Sequence, residues 1–305
     1  MANSLDISKA LTSTTANAAD FLIQDEIVAG IREYFEKRTP LWNQFRKEKT
    51  GSLAIVFKEQ LGVPVASFGA EMGPLPASQT ASYAERAVAL KSIYTRGEVS
   101  GQMIAASANY IDALEREIRN HTMGMINTLE NTLVTGDATA RPNEFDGLLK
   151  WITNTVDAGT INGRSAPANL TLTDLEYMRD ATTTGFFDLF IMDAATRRRL
   201  WAVLQPQIRF IDKATIEGGF EVPTYSGIPI MEVKPHTVEA RTAMQGVILG
   251  VNKEQVWLPV LQDITYEELA HTRDSTDFII KMYLGLVVEG GAVYHAKLTN
   301  FLTGV

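Results

Sequence analysis

The chain contains no cysteine in 305 residues. That excludes a disulfide-stapled scaffold, thiolate metal sites and a cysteine nucleophile. Long apolar runs are missing too. The longest, Phe278 to Val288, is too short to cross a bilayer and is interrupted by Lys281, so no membrane association is expected. The first residues, MANSLDISKA, lack the basic-then-apolar order of a secretory signal. Neither glycine-rich phosphate loop (GxxxxGKS/T or GxGxxG) occurs, nor does a GxSxG nucleophile elbow. His121, His236, His271 and His295 are widely separated and form no HExxH or HxxxH pair. They are expected to be structural or surface residues. The sequence therefore predicts no catalytic residue, no metal and no cofactor.

Basic residues are in the minority, 28 against 36 acidic, for a net charge of −8. Sequence-independent nucleic-acid binding draws on clustered Lys and Arg, which is not the balance here. A mildly acidic surface favours solubility. With 45% hydrophobic and 21% charged residues the composition is globular, and the length suits one large domain or two ordinary ones.

What is present is architectural. Residues 1–20 are rich in Ser, Thr, Ala and Asn without a period and read as an arm. Asp20 is placed to cap a helix carrying Ile23, Ile27, Ile31, Tyr34 and Phe35, and Pro40 is expected to end it. SLAIVF (Ser52 to Phe57) is β-prone, and a second β stretch runs from Tyr83 to Val99. Between them lies SFGAEMGPLPASQTASY, whose two glycines and two prolines break any regular period. The whole reads as a long β-hairpin, and a lone two-stranded hairpin needs a further surface to pack on.

A stripe of Ile111, Leu114, Ile118, Met125, Leu129 and Leu133, with Thr122 in the missing turn, predicts a helix from about Ser107 to Thr135. At 1.5 Å per residue it would be about 40 Å long. Gly136 follows where a left-handed capping residue belongs. Further on, Asn162-Gly163 signals a turn, Thr173 and Glu176 suggest a capping box, and Asp193 caps a helix with Leu200, Trp201 and Leu204. Strands are expected at Phe186 to Met192, Ile228 to Val233, Gly246 to Val251 and Val256 to Pro259, in a compact α/β region. Phe278 to Val288, apolar on both faces, is expected to be one central strand. Arg197-Arg198-Arg199 reads as a solvated helix face, with an intersubunit or phosphate contact as the alternative. Trp151, Trp201 and Trp257 are expected to anchor a core or an interface.

Arm, hairpin, beam-like helix, α/β insertion and closing strand, in that order, resemble the major capsid proteins of tailed bacteriophages. These have the HK97-type fold, which encapsulin shells share. The stretches that carry the likeness are FGAEMGPLPASQTASYAERAVALKSIYTRGEVSGQMI, NTLVTGDATARPNEFDGLL, LTLTDLEYMRD with FFDLFIMDAATRRRLWAVL, YSGIPIMEV, and RDSTDFIIKMYLGLVVEGGAVYHAKLTNF. The resemblance implies an α+β fold. Its parts are an N-terminal arm and short helix (1–50), an extended hairpin loop (51–99), a peripheral domain with a spine helix (100–170), an axial domain (171–260) and returning peripheral strands (261–305).

The resemblance implies a virion protein, made in the host cytoplasm, that assembles as hexamers and pentamers of an icosahedral head. The head would enclose double-stranded DNA without sequence-specific contacts. The alternative is an encapsulin-like compartment. A portal protein, a separate scaffolding protein and a possible decoration protein are the implied partners. Some relatives cross-link through a hairpin lysine. Here no lysine lies between Lys58 and Lys91, so a noncovalent shell is expected. The hairpin starts near Ser52, so no cleavable scaffolding segment is expected before the arm, and a separate scaffolding protein or none is expected instead. The implied subunit-interface residues are Phe68, Met72, Leu75, Tyr83, Arg86, Arg197 and Arg198.

Overall fold

A computed structural model of the chain describes residues 30–32, 40–62, 64–68, 77–107, 113–182, 186–204, 213–216, 220–233, 237–269 and 274–303. The arm, most of the helix expected after Asp20, and the hairpin tip at 69–76 lie outside the described residues.

After a helical turn at 30–32, α1 (Pro40–Gln44) buries Leu41 and Trp42, and Phe45 is buried just beyond its end. Pro40 opens this helix, because proline's fixed φ and missing N–H suit a first turn; the end of the helix expected before it lies outside the described residues. Strand β1 (Arg46–Lys49) follows. The hairpin is built from β2 (Ala54–Gly62) and β3 (Ser82–Ala89), paired antiparallel with Ile55 opposite Val88 and Phe57 opposite Arg86. The expected second arm, Tyr83 to Val99, is not one strand. It breaks at Leu90, and β4 (Lys91–Ser100) joins a different sheet.

After α2 (Gly101–Ser107) comes the long helix α3 (Ala113–Thr135), 23 residues, with residues 108–112 outside the description. Its buried side chains include Ile118, Thr122, Met125, Leu129 and Leu133 of the expected stripe, widened by Ile126, Thr132 and Val134; Leu114 is half-buried and Ile111 lies outside the described residues. Thr122 fills its turn without an unpaired hydroxyl, because its Oγ1 donates to Ile118 O at 2.8 Å. Gly136 is not in the left-handed region. It is needed for close approach, since a Cβ there would fall 2.3 Å from Phe145 O and 2.6 Å from Thr132 O.

Two sheets complete the molecule. The five-stranded one runs β1–β11–β12–β4, with β11 (Val256–Glu268), β12 (Ser275–Leu284) and the short β13 (Val287–Val288) on β11. The stretch expected as one closing strand thus bends at Gly285. Its first part is interior, between β11 and β4, yet buried on one face only: Phe278, Ile280, Met282 and Leu284 point into the core. Helix α3 packs on that side. The His121 ring meets Phe278 edge-on at 5.4 Å, and a Cβ at Gly97 would strike Phe278 at 2.3 Å.

The seven-stranded sheet runs β5–β14–β10–β6–β9–β8–β7. Its members are β5 (Thr155–Asp157), β6 (Leu189–Met192), β7 (Lys213–Ile216), β8 (Phe220–Tyr225), β9 (Ile228–Glu232), β10 (Ile248–Val251) and β14 (Ala296–Thr299). Central β6 is buried at all four positions. Successive strand side chains face opposite ways, so Leu189 and Ile191 join the core under α3 while Phe190 and Met192 enter a second core. That second core is closed by α5 (Leu172–Asp180) and α6 (Ala194–Leu204), through Leu175, Met178, Leu200 and Leu204. Helix α5 begins one turn-frame earlier than expected. Thr171 N–H donates to Asp174 Oδ2 at 2.9 Å, and the buried Asp174 also pairs with Arg164 at 3.0 Å. Asp193 caps α6 as expected, accepting from Thr196 N–H at 2.9 Å. Two short helices, α4 (Leu148–Trp151) and α7 (Val238–Met244), complete the elements.

Candidate functional site: the hairpin, its seat and its free face

Among the described residues the hairpin pairs with no third strand. Strand alternation gives it two unlike faces. One face carries Ile55, Phe57 and Glu59 on β2 with Arg86 and Val88 on β3, and it rests on the subunit's own body. Val88 packs with Trp257 and Val287, and the Phe57 ring lies 6.2 Å from that of Trp151. The other face carries Ala54, Val56 and Lys58 on β2 and Tyr83, Glu85, Ala87 and Ala89 on β3. Nothing covers it among the described residues: Val56 is 57% exposed, Tyr83 65%, and neighbouring Leu53 76%. Lys58 stands opposite Glu85, so the charges on this face are paired and opposite in sign. A flat patch of small aliphatic side chains with a neutralised rim is what a close-packed contact needs.

The root is tied by polar contacts. Glu59 Oε1 accepts from Gly290 N–H at 2.9 Å, and its Oε2 pairs with Arg86 Nε at 2.6 Å. The Arg86 guanidinium lies over Trp151, 5.8 Å from the ring centre. Leu90 N–H donates to Leu53 O at 2.9 Å where the two strands leave the body. Next to it, Lys91 Nζ donates to Pro142 O at 2.6 Å, fixing the base of the hairpin to the loop after α3. That loop is braced by Lys150, which binds Asp137 closely and Asp146 at 2.8 Å, and this ammonium contact holds the Asp137 carboxyl down to about 2.

The residues expected at subunit contacts fall into separate places. Phe68 is fully exposed beyond β2, and Tyr83 lies on the free face. Met72 and Leu75 lie outside the described residues. Arg86 faces its own subunit, through Glu59 and Trp151. Arg197, on α6, pairs with Glu232 at 2.6 Å, while Arg198 is exposed beside it. Trp151 was expected to anchor a core or an interface, and it does so under Phe57, but Glu59 was not singled out from the sequence and neither was its meeting with Gly290. The two are 231 residues apart, and no local spacing announces them.

Among the described residues no three His, Asp or Glu side chains gather where they could hold a metal ion, and no helix is long and apolar enough to cross a membrane.

Solved structures share this arrangement. The holo-SrpI encapsulin complex of Synechococcus elongatus PCC 7942 aligns with a TM-score of 0.63 at 14% identity, over 86% of this chain and 86% of that one. A Mycobacterium phage Bobi chain aligns at 0.60 and 14% identity, over 84% and 88%. The capsid of a native GTA particle aligns at 0.61 and 12% identity, over 87% and 91%. Identities this low establish the fold alone, which is the HK97-type fold of phage capsids and encapsulins. No curated protein matches the chain in sequence. Family membership comes from the sequence match that spans residues 10–301, hairpin, spine helix and both sheets included: the chain belongs to the SU10 major capsid protein family.

Proposed function

We propose that copies of this capsid protein tile an icosahedral phage head as hexamers and pentamers around double-stranded DNA, and that the free face of each hairpin docks on a neighbouring copy. The supporting observation is the uncovered apolar face of a two-stranded sheet: Ala54, Val56, Ala87 and Ala89 are exposed, as is Leu53 just before it. The inner face already has its seat on the subunit, so the outer apolar face is the one left for a neighbour to cover. Each contact can be modest, because a subunit in a closed shell makes several at once and their strengths multiply. In this reading the seven-stranded sheet forms the axial domain, and the five-stranded sheet with α3 forms the peripheral domain. The shell is held without covalent links, since Lys58 is opposed to Glu85 on the hairpin and no lysine lies between Lys58 and Lys91.

Val56→Asp tests the docking. The side chain is solvent-exposed in the subunit, so folding and melting temperature stay as in the wild type, while closed particles vanish from negative-stain images. Normal shells from this variant would refute the role of the face. A second reading, a protein compartment in a cell, is favoured by the encapsulin likeness. Nuclease-protected double-stranded DNA in particles from the native source supports the phage head, and a protein cargo in its place supports the compartment.

A further inference from the structure

We infer that Glu59 is a positioning residue that locks the angle at which the hairpin leaves the body, and that this angle sets the curvature of the shell. The second half rests on the shell-building reading above; the first concerns one subunit.

The seat under the hairpin is apolar: Ile55, Phe57 and Val88 against Trp151, Trp257 and Val287. Apolar contact is non-directional, so it holds the hairpin down without fixing its rotation. Orientation comes from hydrogen bonds, which weaken steeply when bent. Beyond the base, where Lys91 holds Pro142 O, Glu59 is the side chain of β2 and β3 that spans to the body with such a bond among the described residues. Glu59 takes Gly290 N–H on one oxygen and Arg86 Nε on the other, with its side chain only 9% exposed. Arg86 in turn lies over Trp151, so the carboxylate and the guanidinium grip the body at two points.

The anchor on the body is rigid. Gly290 has φ +64, a conformation in which its N–H is presented by a tight turn, and Val293 and Tyr294 N–H both return to its carbonyl at 2.8 and 2.9 Å. A Cβ at 290 would meet the Tyr294 ring at 2.4 Å. Preceding Glu289 is held by Gln255 O at 2.9 Å through its N–H, and its carboxylate accepts from Trp257 Nε1 at 2.9 Å. The pivot lies opposite, where the chain enters through 51–53 and leaves at Leu90 and where a Cβ on Gly51 would meet nothing within 4 Å. A fixed anchor, a slippery seat and an open pivot make an element whose direction depends on one carboxylate.

The absence of cysteine makes the test direct. Glu85→Cys on the hairpin and Glu254→Cys on the body are spin-labelled, and labelled subunits are diluted into unlabelled ones so that only distances within a subunit are read. The wild-type background is expected to give one narrow distance distribution. Glu59→Gln and Arg86→Met are expected to broaden it while leaving the melting temperature unchanged. A distribution as narrow as the wild type in both variants would overturn the lock. Should Glu59→Gln fail to fold, Arg86→Met decides alone, because its side chain is 47% exposed and no core depends on it. Assembly supplies the other half. Uniform particles from the wild type and a spread of diameters from the variants support the link to curvature, and uniform diameters from a loosened hairpin overturn it. If the hairpin loosens but the wild-type chain never forms particles, the lock stands and the shell-building reading falls.

Discussion

Trp42 donates its main-chain N–H to the Glu130 carboxylate, 3.2 Å away on the spine helix and 88 residues further along the chain. Leu41 contributes a second main-chain bond to the same group. One acid thus receives the start of α1 and ties the segment before the hairpin to the longest helix. Burial opposes its charge more than the two amides favour it, and pushes its pKa up from 4.5 to about 7. A carboxyl raised in the folded state stabilises most when protonated. Its contribution is full below about pH 4.5 and is lost as pH rises to about 7. Glu130→Gln should remove this slope, seen as a flatter dependence of melting temperature on pH over that window.

His295 acts in the opposite sense. It is fully buried, accepts from Asn252 N–H at Nδ1 (3.3 Å), and so carries its proton on Nε2, facing Glu289 O at 3.2 Å. Burial pushes its pKa down to about 4 from 6.5. The unfolded chain therefore takes up a proton first, and stability falls as pH drops from about 6.5 to about 4, by on the order of 3 kcal/mol. In the Glu130→Gln background this acid-side loss should stand alone in a pH series of urea midpoints. A flat series would disprove it.

Leu129 is at the centre of the α3 stripe with no exposed surface. Leu129→Ala should cost about 2–5 kcal/mol in chemical denaturation, through lost transfer energy and the cavity left behind. Leu129→Asp should not fold at all, because a carboxylate would be buried without a partner. Unchanged denaturation midpoints would show that the helix does not rest on this stripe.

Gly291 is required by close approach, not by an unusual φ. A Cβ there would fall 2.2 Å from Trp151 O, a main-chain atom that cannot rotate away. Gly291→Ala should lower stability by about 1–3 kcal/mol or more through overpacking. It should also displace Trp151 from under Phe57, which intrinsic tryptophan fluorescence would report. Wild-type emission and melting would contradict the contact.

The spine helix was legible because its period is strong: Ile118, Met125, Leu129 and Leu133 occupy one side at helical spacing, and no β pattern competes. The hairpin was legible from the glycines and prolines between two β-prone runs. Its second arm was misread because alternation continues through Leu90 while the strand changes partner from β2 to β12, and a change of partner leaves no mark on the period. LTLTDLEYMRD offers two overlapping Thr-x-x-acid frames, and burial of Asp174 against Arg164 selected the first. The seat and the lock were invisible, since Phe57 to Trp151 and Glu59 to Gly290 are meetings of distant segments with no shared pattern. Arg86 was noticed for its charge, but its direction depends on which face of β3 turns inward.

Strand β14 is inserted between β5 and β10, parallel to one and antiparallel to the other. The seven-stranded sheet therefore stays split until residue 299 has cleared the ribosome. Pairings this distant form late, after much chain has already collapsed. A chain still lacking β14 therefore has no finished seven-stranded sheet, however much of the spine helix and hairpin has already formed.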